Sequence, residues 1–228
     1  MTEERAGAFY GRRKGKKLRA GQDNLVATLL PKLRLPEAGP VDLAALFDAD
    51  LEARPTILEI GFGGGEHLSA EARAHRQARF IGCEPFLNGM AKCLATIERE
   101  DLRNIRLWDG DAAALLPRLP EAALDTVWLL YPDPWPKRRQ RKRRFLSDET
   151  LAAFARILKS GGELRFATDI DDYAGWALAR VLRSRDFAWT AERPDDWRRP
   201  WEGWPGTRYE AKALKEGRRP SYLTFRRA

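Results

Sequence analysis

Thr56-Ile57-Leu58-Glu59-Ile60-Gly61-Phe62-Gly63-Gly64-Gly65 decides the fold. The apolar run predicts a buried strand over 56–60, the glycines a tight loop over 61–65, and the residues after them a helix over 66–76. The same rhythm continues outward. Strands are predicted at 79–84, 105–108, 125–130 and 163–168, with helices at 88–100, 112–116, 148–158 and 173–184. Ser147 is a suitable cap for the helix at 148, and Gly161-Gly162 a suitable end for it. Segments 187–191 and 221–226 complete a set of seven strands. Strands alternating with helices imply an α/β fold: a mostly parallel seven-stranded sheet with helices on both faces. Upstream, 25–35 and 43–51 carry enough apolar residues for short helices or docked segments. Residues 1–24 are polar and basic and are expected to form a mobile arm, leaving 25–228 as one domain.

Composition narrows the class. The chain has 228 residues, 43% hydrophobic and 32% charged, which suits a folded domain rather than a disordered one. No apolar run approaches the ~20 residues of a membrane helix, and the N-terminus lacks a signal-peptide core, so a cytoplasmic protein is expected. The net charge is +8, with a pI near 9.7. The charge is clustered in Arg12, Arg13, Lys14, Lys16, Lys17 and Arg19 and again over 137–144, which makes nucleic acid the first partner to consider. Cys83, Cys93, His67 and His75 show no CxxC or HxxxH spacing, so no metal site is expected. A catalytic Cys–His pair has no supporting pattern either.

The glycine loop opens toward a ligand, because open parallel sheets bind at the carboxyl ends of their strands. A dinucleotide loop would read G-x-G-x-x-G, but Glu66 occupies the third position, where a carboxylate opposes a pyrophosphate. Acids close three successive strands: Glu59, Glu84 and Asp111. Glu59 suits a cationic group, Glu84 the hydroxyls of a ribose and Asp111 an adenine amino group. A ligand with these parts and no phosphate is S-adenosylmethionine.

A second constellation spans 131–144: Tyr-Pro-Asp-Pro-Trp-Pro-Lys-Arg-Arg-Gln-Arg-Lys-Arg-Arg. Prolines on both sides leave Asp133 few backbone conformations. A rigid carboxylate beside a basic run points to chemistry on a nucleic-acid base. Trp135 suits either stacking on a base or packing. Trp197, Trp201 and Trp204, among arginines and prolines, read equally as an RNA surface or a packed loop.

The loop Glu59-Ile60-Gly61-Phe62-Gly63 resembles the first motif of class I methyltransferases. Pro132-Asp133-Pro134-Trp135-x-Lys137, Lys142-Arg143-Arg144, Ala167-Thr168-Asp169 and Thr207-Arg208-Tyr209-Glu210 resemble the bacterial tRNA (guanine-N7-)-methyltransferase family. The similarity runs from about residue 55 to the end. It implies a Rossmann-like class I methyltransferase fold with S-adenosylmethionine as cofactor and tRNA as partner, the target being the variable-loop guanine at position 46. It implies Asp133 as catalytic residue. Glu59, Gly61, Gly63, Glu84, Asp111 and Asp133 would contact the cofactor. Lys137, Asp169, Thr207, Arg208, Tyr209 and Glu210 would bind substrate. Arg139, Gln140, Arg141, Lys142, Arg143 and Arg144 would contact RNA. Two departures stand out: Gln140 where His is common, and Thr-Arg-Tyr-Glu where Thr-Lys-Phe-Glu is common.

Guanine N7 carries a lone pair and no proton, so its methylation needs positioning and electrostatics rather than a base. Asp133 can favour the cationic ring or hold guanine through N1–H and N2–H. Asp169 can grip guanine or cap the helix near 172. Competing readings are an amino-directed base methyltransferase, a non-catalytic RNA-binding protein with the same fold, and a nicotinamide oxidoreductase, which Glu66 disfavours.

Overall fold

The computed structural model describes residues 11–51 and 54–228, so the first ten residues of the expected arm lie outside it. The strands are β1 (Thr56–Ile60), β2 (Arg79–Cys83), β3 (Ile105–Trp108), β4 (Leu124–Leu130), β5 (Leu158–Thr168), β6 (Phe187–Trp189) and β7 (Ser221–Arg227). They form one seven-stranded sheet in the order β3-β2-β1-β4-β5-β7-β6. β2–β3, β1–β4 and β4–β5 are parallel, whereas β7 runs antiparallel to β5 and β6. The order reverses between β1 and β4, the switch point at which α/β sheets bind ligands. The helices are α1 (Ala20–Thr28), α2 (Leu30–Leu33), α3 (Leu43–Leu46), α4 (Glu66–Ala74), α5 (Leu87–Glu100), α6 (Ala112–Leu115), α7 (Asp148–Ile157), α8 (Asp171–Val181), α9 (Asp195–Arg198) and α10 (Arg208–Lys215). No helix among the described residues is long and apolar enough to cross a membrane.

The chain forms two compact units: residues 1–54 with 62–120, and residues 55–61 with 121–228. In the first, α5 repeats Met90, Leu94 and Ile97 at helical spacing and buries all three. Strand β2 is buried along its whole length, as a parallel strand covered on both faces must be. Asn104 closes the far end of α4, its amide nitrogen donating to the carbonyls of Ala72, His75 and Ala78. The basic segment already makes contacts within residues 11–24. The Arg13 carbonyl accepts from Leu87 N, the Asn88 side chain bonds Gly15 N and Lys16 O, and α1 starts at Ala20.

In the second unit, Trp128, Leu130, Ala167 and Tyr222 form a buried cluster on β4, β5 and β7, with Ile57, Tyr131, Trp201 and Trp204 packed against it. Trp128 meets Trp201 edge-on at 5.0 Å and lies roughly parallel to Trp204 at 5.9 Å. Trp201 Nε1 donates to Thr224 Oγ1, so both rings are part of the sheet's packing. Trp197 instead packs at a tilt on Trp189. The junction of α7 and β5 departs from expectation. Helix α7 stops at Ile157, and Leu158, Gly161 and Gly162 already belong to β5. The reason is that Leu158 pairs with Leu124, and Ala122 N and Ala123 N donate to the carbonyls of Arg156 and Ile157. Tertiary pairing therefore ends the helix before the glycines.

At the start of β1, Thr56 is fully buried and its N–H donates to Asp125 Oδ2 at 2.8 Å, while Lys159 Nζ holds both oxygens of the same carboxylate. Asp125→Ala leaves that N–H buried without its acceptor and should cost about 1–3 kcal/mol. Urea unfolding measures this; an unchanged midpoint would show that another group takes over the Thr56 N–H.

Candidate active site

Within the first unit, the carboxyl ends of β2 and β3 carry Glu84 and Asp111. Glu84 is buried, and its two oxygens accept from Gly63 N at 2.7 Å and Phe86 N at 2.9 Å. Gly63 holds φ near 61°, a region that side chains disfavour. Its carbonyl is packed on the start of α5, where a Cβ on Gly89 would lie 2.1 Å from it. The loop is thus held from two directions, by a carboxylate and by a helix without a side chain at the contact. Asp111 caps α6 through Ala113 N, and its carbonyl accepts from Trp108 Nε1. Cys83 sits among these acids. Burial, and then the charges of Glu84, Asp111 and Asp109, raise its thiol pKa well above the ordinary value, which favours the protonated thiol.

Within the second unit, the parallel strands β1, β4 and β5 end together. Glu59, buried on β1, is in register with Trp128. Beyond Leu130 the chain leaves β4 through Tyr131, whose N–H still bonds the Ala167 carbonyl at 2.8 Å. Tyr131 and Trp135 both have left-handed backbones, with φ of 48° and 42°. Large aromatic residues rarely adopt this conformation, so the turn around Pro132-Asp133-Pro134 stores strain that its surroundings must balance. Arg144 does much of this. It is buried, its Nε donates to the Pro134 carbonyl at 2.8 Å, and its Nη2 pairs with the Asp172 carboxylate. Its guanidinium also lies 4.8 Å from the Tyr173 ring centroid and 5.0 Å from that of Trp176. Asp133 itself is exposed. Burial, with a smaller push from the Asp133 charge, raises the Tyr173 phenol to about 12, which keeps it neutral.

The matched family model, described as "Putative methyltransferase", covers residues 53–222. A tRNA (guanine-N(7)-)-methyltransferase of Rhodopseudomonas palustris (strain BisB5) is 58% identical, over 99% of this chain and 88% of that protein. One from Brucella anthropi is 54% identical over 99% of both chains. This chain belongs to the tRNA (guanine-N(7)-)-methyltransferase family. The crystal structure of the 16S rRNA methyltransferase KamB shares the fold, with a TM-score of 0.55 at 16% identity, covering 82% of this chain and 96% of that one. Membership excludes the oxidoreductase reading.

The family resemblance had assigned three substrate or RNA segments, and the structure shows where each lies. Lys137 is exposed and precedes a 3-10 turn over 138–143. Arg139 and Lys142 point to solvent, and Gln140 is half-buried. Arg141 pairs with Asp172, and Arg143 lies over the Trp135 ring at 5.0 Å. Arg144 turns inward, unlike the rest of its run. Asp169 pairs with Arg218 at 2.5 Å, while the residue capping α8 is Ile170. Thr207 and Glu210 form a capping box on α10. Glu210 is buried and also accepts from Trp204 Nε1 and the Tyr222 hydroxyl, so both of its oxygens are engaged. Arg208 and Tyr209 remain exposed.

Sequence reading missed Asp172 as the anchor of Arg141 and Arg144. No local pattern marks it, because its partners lie 31 and 28 residues away. Its carboxyl is held below the ordinary range, first by the Arg144 hydrogen bond. A depressed folded pKa adds stability above the unfolded value of about 3.9, and that stability disappears as pH falls through the folded value. Asp172→Asn should therefore flatten the acid limb of the stability profile between about pH 5 and pH 2, read as urea midpoint against pH. A wild-type-to-variant difference constant across that window would remove Asp172 from the acid response.

Proposed function

We propose that this protein transfers a methyl group from S-adenosylmethionine to N7 of guanine 46 in the variable loop of tRNA, acting in the cytoplasm without an obligate protein partner. The observation that carries the reading is Asp133, an exposed carboxylate held by a strained turn at the end of β4 in a chain of this family.

The residues present fit the cofactor. Glu59, Glu84 and Asp111 supply carboxylates and no cation toward a ligand without phosphate. Gly61, with φ of 75°, has nothing within 4 Å of where a Cβ would stand, so the loop leaves room on that side. Glu59 would face the amino group, Glu84 the ribose hydroxyls and Asp111 the adenine, with Gly61 and Gly63 allowing close approach of the backbone. When bound, S-adenosylmethionine supplies the electrophilic methyl group. The chain's own part is to orient guanine and to favour the positive charge that the ring acquires. Asp133 does this as a fixed carboxylate near the base. No general base is required, in keeping with the neutral Tyr173 and the protonated Cys83. Lys137, Asp169, Arg208 and Tyr209 are proposed to contact the substrate. Thr207 and Glu210 would hold that segment in place through the α10 cap. The solvent-facing members of the 139–143 run would meet tRNA phosphates, while Arg144 holds the turn.

Purified protein incubated with unmodified tRNA and methyl-labelled S-adenosylmethionine should yield 7-methylguanosine, lost when guanine 46 is replaced. A product methylated only at N1 or N2, or a requirement for a second protein, would contradict the reading. Asp133→Ala should slow single-turnover methylation by about 10²–10³, with S-adenosylhomocysteine affinity less affected. A near wild-type rate would take Asp133 out of the mechanism.

Glu84→Ala should weaken S-adenosylhomocysteine binding in calorimetry by about 1.5–3 kcal/mol for each charged hydrogen bond lost. Affinity for tRNA should change far less. Unchanged cofactor affinity would reduce Glu84 to a latch for Gly63.

A further inference from the structure

Helix α8 faces the basic 3-10 run across an open recess of about 480 Å³. Arg138, Arg141, Lys142 and Arg144 line it from the run, and Trp176 and Arg180 line it from α8. Trp176 and Arg180 are one helical turn apart, and the Arg180 guanidinium carbon lies 3.4 Å from the Trp176 ring centroid. The same ring carries Arg144 at 5.0 Å. One indole therefore gathers two guanidinium groups, and further cations stand beside it.

The local acids leave this charge only partly balanced. Asp172 is committed to Arg141 and Arg144. Asp148 approaches Arg180 at 3.4 Å, but its side chain is 69% exposed, so water screens the pair. Glu149 stands on the same rim and is tied to Ser147. Arg141 Nε is shielded from solvent and makes no hydrogen bond, while Arg180 Nε, equally shielded, faces Asp148 Oδ1 at 3.4 Å without hydrogen-bond geometry. A shielded guanidinium N–H without an acceptor carries a cost that an entering oxygen would remove. The first turn of α7, at the rim, is already capped by Ser147 and Thr150, so the side-chain cations rather than the helix end make the site. The recess is roomier than a single phosphate group needs and is continuous with the exposed face of the 139–143 run.

We propose that this recess is a tRNA phosphodiester subsite, in which Arg180, oriented by Trp176, pairs with a backbone phosphate and Asp148 swings away into solvent. The proposal rests on the tRNA reading above and adds α8 to the RNA surface. It sets a helix face opposite the 139–143 run, so the phosphate backbone is gripped across a groove rather than along an edge. Planar guanidinium presents paired donors to phosphate oxygens, and stacking on the indole limits its rotation.

The test is Arg180→Ala, with Arg180→Lys as the second variant, in the full-length protein. For Arg180→Ala the effect should fall on KM for tRNA rather than on kcat. KM should rise about tenfold, the scale of one lost charge-assisted contact. The slope of log affinity against log salt should flatten by about 0.7–0.9, the value of one phosphate contact. Arg180→Lys should keep the slope while losing part of the affinity, and S-adenosylhomocysteine affinity should be retained in both. A folded Arg180→Ala variant with unchanged KM and salt slope would overturn the subsite and leave the methylation reading intact. A fall in kcat with KM unchanged would also overturn it, because Arg180 would then act through the Asp133 turn. A wild-type protein that yields no 7-methylguanosine would overturn both.

Discussion

The conformation of the Asp133 turn depends on one buried guanidinium. A chain leaving β4 with two aromatic residues in the left-handed region is expensive to hold, and prolines cannot donate backbone hydrogen bonds to help. Arg144 supplies what the turn lacks. It donates to the Pro134 carbonyl, pairs with Asp172 and lies against Tyr173 and Trp176. Those partners come from the start of α8, which follows β5, so the turn after β4 is braced by the element after the neighbouring strand. Removing a buried cation of this kind leaves several acceptors without a partner at once. The turn that carries the exposed carboxylate of Asp133 is braced by residues from a different element of the chain.

The aromatic cluster behind the turn has a related logic. Trp128, Trp201, Trp204 and Tyr222 are large, and each polar atom among them that lies buried must find a partner. Glu210 satisfies Trp204 and Tyr222 together and still caps α10 through Thr207. Burial drives the Tyr131 and Tyr222 phenols well above their ordinary range, so both stay neutral, while the Arg165 guanidinium lies over the Trp128 and Trp201 rings at 4.8 and 5.8 Å. The segment after Thr207 is therefore carried by the sheet rather than by a free loop. Its exposed members, Arg208 and Tyr209, are presented from a short, capped helix.

On the cofactor side, the glycine loop is shaped by contacts that small residues alone permit. Gly63 presents its N–H to Glu84 and its carbonyl to the bare backbone at Gly89. An acid that would serve a ribose also holds the loop. The proposed ribose contact would therefore couple cofactor affinity to loop geometry through one side chain.

The strands, their order of appearance and the two motifs were legible in the sequence, because each is local. Apolar runs, glycine loops and proline-bracketed acids declare themselves within about ten residues. Glu59 near the end of β1, and Glu84, Asp111 and Asp133 just beyond β2, β3 and β4, stand at the strand positions the sequence predicts. The end of α7 was misread because the pairing of Leu158 with Leu124, a non-local contact, outweighed the Gly161-Gly162 stop. The division of labour within the basic run was hidden for the same reason. Arg139 and Arg144 look alike in sequence, and only the position of Asp172, Tyr173 and Trp176 decides that one faces water while the other is buried. Sequence determined which chemical groups stand at the carboxyl ends of the strands. Tertiary structure decided which of them are free to meet a ligand and which are consumed in holding the others, because that depends on partners tens of residues away.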